Sequence, residues 1–297
     1  MNKILYKLFT IRSVLFALCV LVSWAPTTIS ADPKTSVVTG YDGVAVTVIG
    51  QNARIVSLAP SATELLFHVD GGKQLVGRTD NCNFPPAALN VNSVGTLFPP
   101  NLEHILRLKP DLVLMTSGTQ KIRADLRARG IAVYVMFPTS LLQIPDEIRN
   151  VGTLIGRRDI AVRKAQEFTK ALNQIKAPRQ NVRPKVYWEI WSNPMMTVGQ
   201  DTFVNELIHW AGADNIFGEL TTEWPKVGAE SIVRRRPEFI FTVDRSSYLS
   251  GLRPWAQSLR IPQSKIISIK DKDSVNRPSI RVLDGIEWLK KVLAKAT

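Results

Sequence analysis

The segment Asn101-Leu-Glu-His-Ile-Leu-Arg-Leu-Lys-Pro-Asp-Leu-Val-Leu114 is echoed downstream by Gly228-Ala-Glu-Ser-Ile-Val-Arg-Arg-Arg-Pro-Glu-Phe-Ile-Phe241. Glutamate, isoleucine, arginine and proline coincide, and most other positions match in character. A second pair runs from Glu64-Leu65-Leu66 to Gly77 and from Glu206-Leu207-Ile208 to Gly218. Repeats separated by roughly 130–140 residues do not stack into a solenoid, whose units are far shorter. They predict two related lobes, one over 54–156 and one over 184–297.

Outward from the repeat, apolar runs at 54–58, 112–115 and 132–136, then 185–190, 239–243 and 265–269, alternate with amphipathic stretches. Those stretches cover 61–69, 101–108, 119–129, then 202–211, 229–236 and 280–295. Near-continuous apolar strands alternating with helices predict an α/β fold with mainly parallel sheets, covered on both faces. Ser61-Ala62-Thr63-Glu64 has the spacing of a capping box opening the first helix, and 37–49 reads as a hairpin-like stretch. Between the lobes, Ile160, Val162, Ala165, Phe168, Leu172 and Ile175 are spaced for one long linker helix, ended by Ala177-Pro178. The expected organisation is a leader over 1–31, an N-terminal lobe over 32–156, a linker helix and connection over 157–183, and a C-terminal lobe over 184–297. The single helical crossing predicts small motion between the lobes.

The leader carries Lys3, Lys7 and Arg12, then an apolar core from Val14 to Val22, then small residues up to Ala31. That order is the one of a cleavable secretory signal, and the core is shorter than the roughly 20 residues a spanning helix needs. Cys19 follows the bulky Leu18, which argues against a lipidation site. Cys82 then remains as a lone, packed thiol, so an internal disulfide is excluded. Loss of the leader takes the formal charge from +13 to +10.

A composition of 45% hydrophobic and 21% charged residues among 297 excludes a disordered chain, and a single N-terminal apolar run excludes a polytopic membrane protein. Basic residues are dispersed among acidic ones, and no recognised nucleic-acid motif is present. Arg234-Arg235-Arg236 reads as a solvated helix end. His68, His104 and His209 are the whole histidine supply, too few for a histidine-built metal centre. Without a Gly-x-Ser-x-Gly elbow, a Walker loop or a His-Glu-x-x-His helix, the chain is not expected to be an enzyme.

Aromatic residues cluster in the second half: Trp188, Trp191, Trp210, Trp224, Tyr248 and Trp255. Packing over the sheet is the expected role of Trp188 and Trp210. Trp224-Pro225, in a loop before a helix, suits either that role or stacking on a large planar ligand. Glu103 and Glu230 each fall in a first helical turn, where the macrodipole favours a carboxylate by about 0.3–1 kcal/mol. Their equivalence in the repeat also sets one carboxylate on each lobe, a spacing suited to two arginines of a dimeric partner.

Three stretches carry a family resemblance: Arg54-Ile-Val-Ser-Leu-Ala-Pro-Ser-Ala-Thr-Glu64, Asn101-Leu-Glu with Lys109-Pro-Asp-Leu-Val113, and Trp224-Pro-Lys-Val with Glu230. In order and over essentially the whole mature chain, they resemble periplasmic substrate-binding proteins with a helical backbone, which serve ABC importers of cobalamin, haem and iron–siderophores. Asn193-Pro194 with Thr197 and Gly199, Gly212-Ala-Asp-Asn-Ile-Phe217, Trp224-Pro225, and Asp273 four residues before Arg277 are similar to the cobalamin-binding members. The resemblance implies that Trp224 contacts a corrin and that Asp273 and Arg277 meet its amides. It also implies a ligand cleft between the lobes, which Ser61, Asn81, Leu97 and Met196 are expected to line as well. It further implies that Glu103 and Glu230 dock on arginines of a dimeric inner-membrane permease. Cobalamin is then cargo of a monomeric periplasmic protein, which holds no cofactor of its own and no metal.

Two departures stand out. Asn81 and Leu97 occupy cleft positions that are aromatic in the cobalamin binders, with Phe84 and Phe98 as neighbouring substitutes, and the second-lobe disulfide of those relatives is missing. A haem or ferric-siderophore carrier is the second expectation, with Arg78, Arg245, Arg277 and Arg281 meeting anionic groups, although 81–85 contains no tyrosine to ligate haem. An exported hydrolase lacks a nucleophile and base. A ligand-free interaction protein leaves the clustered aromatics unexplained.

Overall fold

The computed structural model describes residues 37–96, 98–116, 120–175, 183–270 and 272–295. The expected leader over 1–31 and the cleft candidate Leu97 lie outside them. A small antiparallel hairpin of β1 (Val37–Thr39) and β2 (Ala45–Thr47) comes first. The first lobe then builds a sheet from β3 (Ile55–Ser57), β4 (Leu75–Arg78), β5 (Leu112–Met115) and β6 (Ala132–Val135), in the order β4-β3-β5-β6 and parallel throughout. The second lobe builds one from β7 (Lys185–Ser192), β8 (Met195–Thr197), β9 (Asp214–Asn215), β10 (Phe239–Thr242) and β11 (Ile266–Ser268), in the order β11-β10-β7-β8 with β9 also on β7. Only β8 runs antiparallel there.

The helices are α1 (Pro60–His68), α2 (Leu102–Arg107), α3 (Gln120–Arg127), α4 (Ile144–Leu154), α5 (Arg158–Gln174), α6 (Phe203–Trp210), α7 (Ala229–Arg235), α8 (Arg245–Leu249), α9 (Pro254–Gln257), α10 (Asp273–Asn276) and α11 (Val282–Lys295). The fold class is the α/β arrangement expected. No described helix is long and apolar enough to cross a membrane.

Successive strand side chains alternate between faces, and each sheet uses both. Ile55, Leu112, Leu114, Val186, Trp188, Phe239 and Phe241 join one core cluster that runs through both lobes. Their neighbours Val56, Val113 and Met115 pack in a separate first-lobe cluster, and Tyr187 and Ile240 in a second-lobe one. The long helix α5 buries Ala161, Ala165, Phe168 and Leu172. Its closest approach to α4 runs through Ala161, because a Cβ built at Gly152 of α4 would sit 2.2 Å from the Ala161 Cβ, while Ile160 packs half-buried against the same core. Two small residues let these helices meet closely.

Two local expectations are corrected. The capping box at Ser61 does not form: Pro60 occupies the first helical turn, Ala59 is the N-cap, and no side chain caps it. Proline suits that position because its missing N–H would be unpaired there anyway, and the earlier start sets Glu64 two positions deeper in the helix, where it is buried. The end of α7 is not simply solvated. Arg235 donates to the Ile216 carbonyl at 2.7 Å, pairs with Glu219 at 2.6 Å and lies 4.6 Å over the Phe217 ring, while Arg234 and Arg236 remain exposed. The strand β4 and the helix α4 were not anticipated at all.

Candidate functional site

The C-terminal ends of both parallel sheets converge on one cavity, the crevice where open α/β sheets bind ligands. From the first lobe come Ser61 on α1, Thr116 after β5, and Met136, Phe137, Pro138 and Thr139 after β6. From the second come Asp201, Thr202 and Phe203 at the head of α6, Glu223 and Trp224 in the loop before α7, and Asn276 and Pro278. The cavity measures about 200 Å³. A recess of about 320 Å³ adjoins it, lined by Trp188, Ile190, Val204, Val243 and Ile269 and sharing Phe203, Trp224 and Asn276 with it.

Trp224 is thus a half-buried partition, packed on the core on one side and lining the cavity on the other. Its loop is held by backbone pairing: Gly199 N–H donates to Glu223 O at 2.9 Å and Thr197 N–H to Pro225 O at 3.0 Å, one bond on each side of the tryptophan. The approach needs a glycine, since a Cβ at Gly199 would lie 1.9 Å from the Thr222 carbonyl oxygen. Trp188 is wholly buried and stacks on Phe241 with ring centres 5.0 Å apart, as its packing role requires.

Two polar ties cross between the lobes and flank the cavity. In the first, Arg277 Nη1 donates to Glu64 Oε1 at 3.0 Å and to Asn83 Oδ1 at 2.9 Å, and Nη2 donates to Asn81 O at 3.1 Å. Arg281 Nη1 also reaches Glu64 Oε1, at 3.3 Å, and the Ser279 hydroxyl donates to Glu64 Oε2. Asp273 pairs with Arg277 at 3.0 Å and with Arg281 at 3.7 Å. In the second tie, Glu206 accepts from Ser140 Oγ at 3.0 Å and from Leu141 N–H at 2.7 Å.

The sequence candidates therefore divide. Ser61 and Trp224 line the cavity. Asp273 and Arg277 sit in the first tie, next in sequence to the lining residues Asn276 and Pro278. Asn81 enters that tie through its carbonyl oxygen. Met196 is half-buried on β8, bridged to Lys226 and outside the cavity wall. Phe84 lies beneath the Arg281 guanidinium at 4.2 Å, and Phe98 is exposed. Glu103 and Glu230 are exposed in the first turns of α2 and α7, with no ion pair among the described residues. Glu64, Ser279, Asp201 and Glu223 were not foreseen as site residues. Glu64 carried a signal, since a glutamate inside an apolar helical run needs a buried partner.

The arginines offered for an anionic ligand are all engaged by the protein itself. Arg78 is buried and donates to the carbonyls of Ala88, Thr79 and Leu89. Arg245 donates to those of Ile266 and Gln263, and Arg277 and Arg281 belong to the Glu64 tie. Among the described residues, no three His, Cys, Asp or Glu side chains converge as a metal-ligand set. Cys82 is a buried free thiol beside Thr79 Oγ1 at 3.2 Å.

A family model described as periplasmic binding protein matches residues 55–258. The vitamin B12-binding protein of Vibrio cholerae is 28% identical over 238 residues, covering 79% of this chain and 86% of that protein. The vitamin B12-binding protein of Yersinia pestis is 28% identical over 245 residues, covering 81% and 86%. The crystal structure of periplasmic vitamin B12 binding protein BtuF of Vibrio cholerae superposes with a TM-score of 0.71 at 27% identity, covering 83% of this chain and 98% of that one. The periplasmic heme-binding protein RhuT from Roseiflexus sp. RS-1 shares the fold, with a TM-score of 0.71 at 22% identity and coverage of 82% and 99%. Sequence, topology and the crevice between two parallel sheets agree, and the chain belongs to the periplasmic binding protein family.

Proposed function

We propose that this chain is a monomeric periplasmic receptor that captures cobalamin in the cleft between its lobes and delivers it to a dimeric ABC permease in the inner membrane. The observation that carries this reading is the cavity wall. It offers the indole of Trp224, Phe137 and Phe203 for stacking, with hydroxyl and amide groups at Ser61, Thr139 and Asn276. An amide-rimmed corrin matches such a surface, where ring contact supplies the binding energy and a few polar groups fix orientation. Vitamin B12-binding relatives at 28% identity support the same choice.

A haem or ferric siderophore is the second reading, supported by the fold shared with heme-binding proteins. It is the weaker one, because an acidic chelate needs unpaired cations and Arg78, Arg245, Arg277 and Arg281 are all engaged. The cavity of about 200 Å³ is smaller than the roughly 300–1,000 Å³ of ordinary ligand pockets. The adjoining recess of about 320 Å³ extends it. No resident cofactor and no covalent chemistry are invoked. Titration of the mature protein with cyanocobalamin, haemin and a ferric siderophore, followed by tryptophan quenching and calorimetry, tests the choice. Submicromolar binding of cyanocobalamin supports it, and binding of another member without cyanocobalamin overturns it.

A further inference from the structure

Among the described residues, the cavity wall holds two carboxylates and no cation. Asp201, exposed beside the N-cap Thr202, and Glu223, half-buried beside Trp224, both line it. Neither side chain has an ion pair or hydrogen bond among the described residues, and no Lys, Arg or His lines the cavity. Among the cations on neighbouring segments, Lys226 is exposed and outside the wall. Arg277 and Arg281 face Glu64 and Asp273, and Lys272 lies 5.4 Å over the Trp288 ring. The chain carries a formal charge of +13, yet its cleft is locally negative. At a Debye length of about 8 Å in 0.15 M salt, local charge dominates what a bound ligand meets, and low-dielectric walls concentrate its field.

We propose that Asp201 and Glu223 make the cleft a charge filter, which admits neutral or cationic ring chelates and rejects those bearing free carboxylates. The proposal rests on the reading of the cleft as a cobalamin site and narrows it. Among corrinoids, the accepted class keeps its side chains as amides, and a single hydrolysed amide is discriminated against. The two residues act as specificity determinants through their field, with no covalent step.

The test compares cyanocobalamin with its monocarboxylic acid derivatives, prepared by mild hydrolysis of the side-chain amides, by calorimetry at 10 mM and 150 mM ionic strength. A tetracationic N-methylpyridyl porphyrin and a tetrasulfonated porphyrin are measured alongside. The expected result is at least tenfold weaker binding of the monoacids at 10 mM, a smaller ratio at 150 mM, and a ratio at least fivefold smaller in the variant D201N/E223Q. Shape-based exclusion would move with neither salt nor charge. Equal affinities at both ionic strengths, or an unchanged ratio in a variant with the parent melting temperature, overturn the proposal. If cyanocobalamin fails to bind while the cationic porphyrin outcompetes the sulfonated one, the cobalamin reading falls and the charge filter stands. Failure of all four ligands to bind overturns both.

Discussion

Arg277 of the second lobe and Glu64 of the first, 213 residues apart in the chain, meet through a 3.0 Å ion pair across the cleft. The Glu64 side chain is fully buried, whereas that of Arg277 is 12% exposed. A carboxylate taken out of water needs several donors, and Glu64 has three from Arg277, Arg281 and Ser279, all on the other lobe. The pairing thus links the lobes directly, in addition to the helix α5.

Removing that carboxylate leaves two guanidinium groups with Asp273 of their own lobe as the remaining shared carboxylate and no partner across the cleft. Breaking a buried pair from one side costs about 3–5 kcal/mol, so Glu64→Ala is expected to lower the urea unfolding midpoint strongly, and Glu64→Gln less. Measured unfolding curves decide it. A loss within the about 0.5 kcal/mol of an ordinary surface change would mean that the tie does not hold the lobes.

The position of Trp224 depends on a residue that touches no ligand. Gly199→Ala would push a methyl group into the Thr222 carbonyl, 1.9 Å from the Cβ position, and shift the loop whose backbone pairs with Thr197 and Gly199. Cyanocobalamin affinity should fall by about tenfold or more, as in Trp224→Ala, which removes the stacking surface directly. Calorimetry on both variants checks this. Full affinity in Gly199→Ala would show that the loop yields without cost.

The two lobes and a part of the cavity wall, Ser61 and Trp224, are legible in the sequence, and the limits have physical causes. The repeat around Glu103 and Glu230 reveals two lobes because the same helix-to-strand step recurs with the same apolar period. Trp224-Pro225 stands out as a rigid aromatic in a loop before a helix, a place suited to packing or to stacking. The Glu64 tie was hidden for two reasons. Its partners are distant in sequence, and one proline at position 60 shifts the helix start, so that a residue spaced for capping becomes interior. The strand β4 is four residues long and includes Gly77, whose Cβ would collide with Leu108 at 2.4 Å. Such a segment lacks the branched apolar run by which strands are read.

A buried carboxyl away from the cleft sets a pH dependence of stability. Burial pushes Glu147 up to about 7, the Asp146 charge adds to the rise, and the hydrogen bond donated by Tyr134 opposes it. The folded chain therefore keeps a proton that the unfolded chain, with an ordinary value of 4.5, releases. Its stabilising contribution is complete below about pH 4.5 and is lost as pH rises through about 7. Glu189 is shifted upward by burial in the same sense, so the test is a difference. Urea midpoints at pH 5 and pH 8 should differ less in Glu147→Gln than in the parent, and an equal difference would assign the slope elsewhere.

Delivery is separable from capture, because the residues proposed for each lie apart. Glu103 and Glu230 are exposed on the first turns of equivalent helices, one per lobe, and line neither the cavity nor its recess. Each carboxylate sits where the macrodipole favours it by about 0.3–1 kcal/mol, so its removal costs little stability. A bidentate carboxylate–arginine pair at an interface is stronger and geometrically demanding. Two such pairs, one per lobe, would seat the protein symmetrically on two permease subunits. The double variant Glu103→Ala with Glu230→Ala should therefore bind cyanocobalamin as the parent does and melt within a few degrees of it, yet support little vitamin uptake in cells depending on this chain. Each single variant should retain intermediate uptake, since one pair still orients the complex. Uptake at the parent rate in the double variant would exclude the two-carboxylate contact, and a matching loss of ligand affinity would show that these glutamates act on the cleft instead.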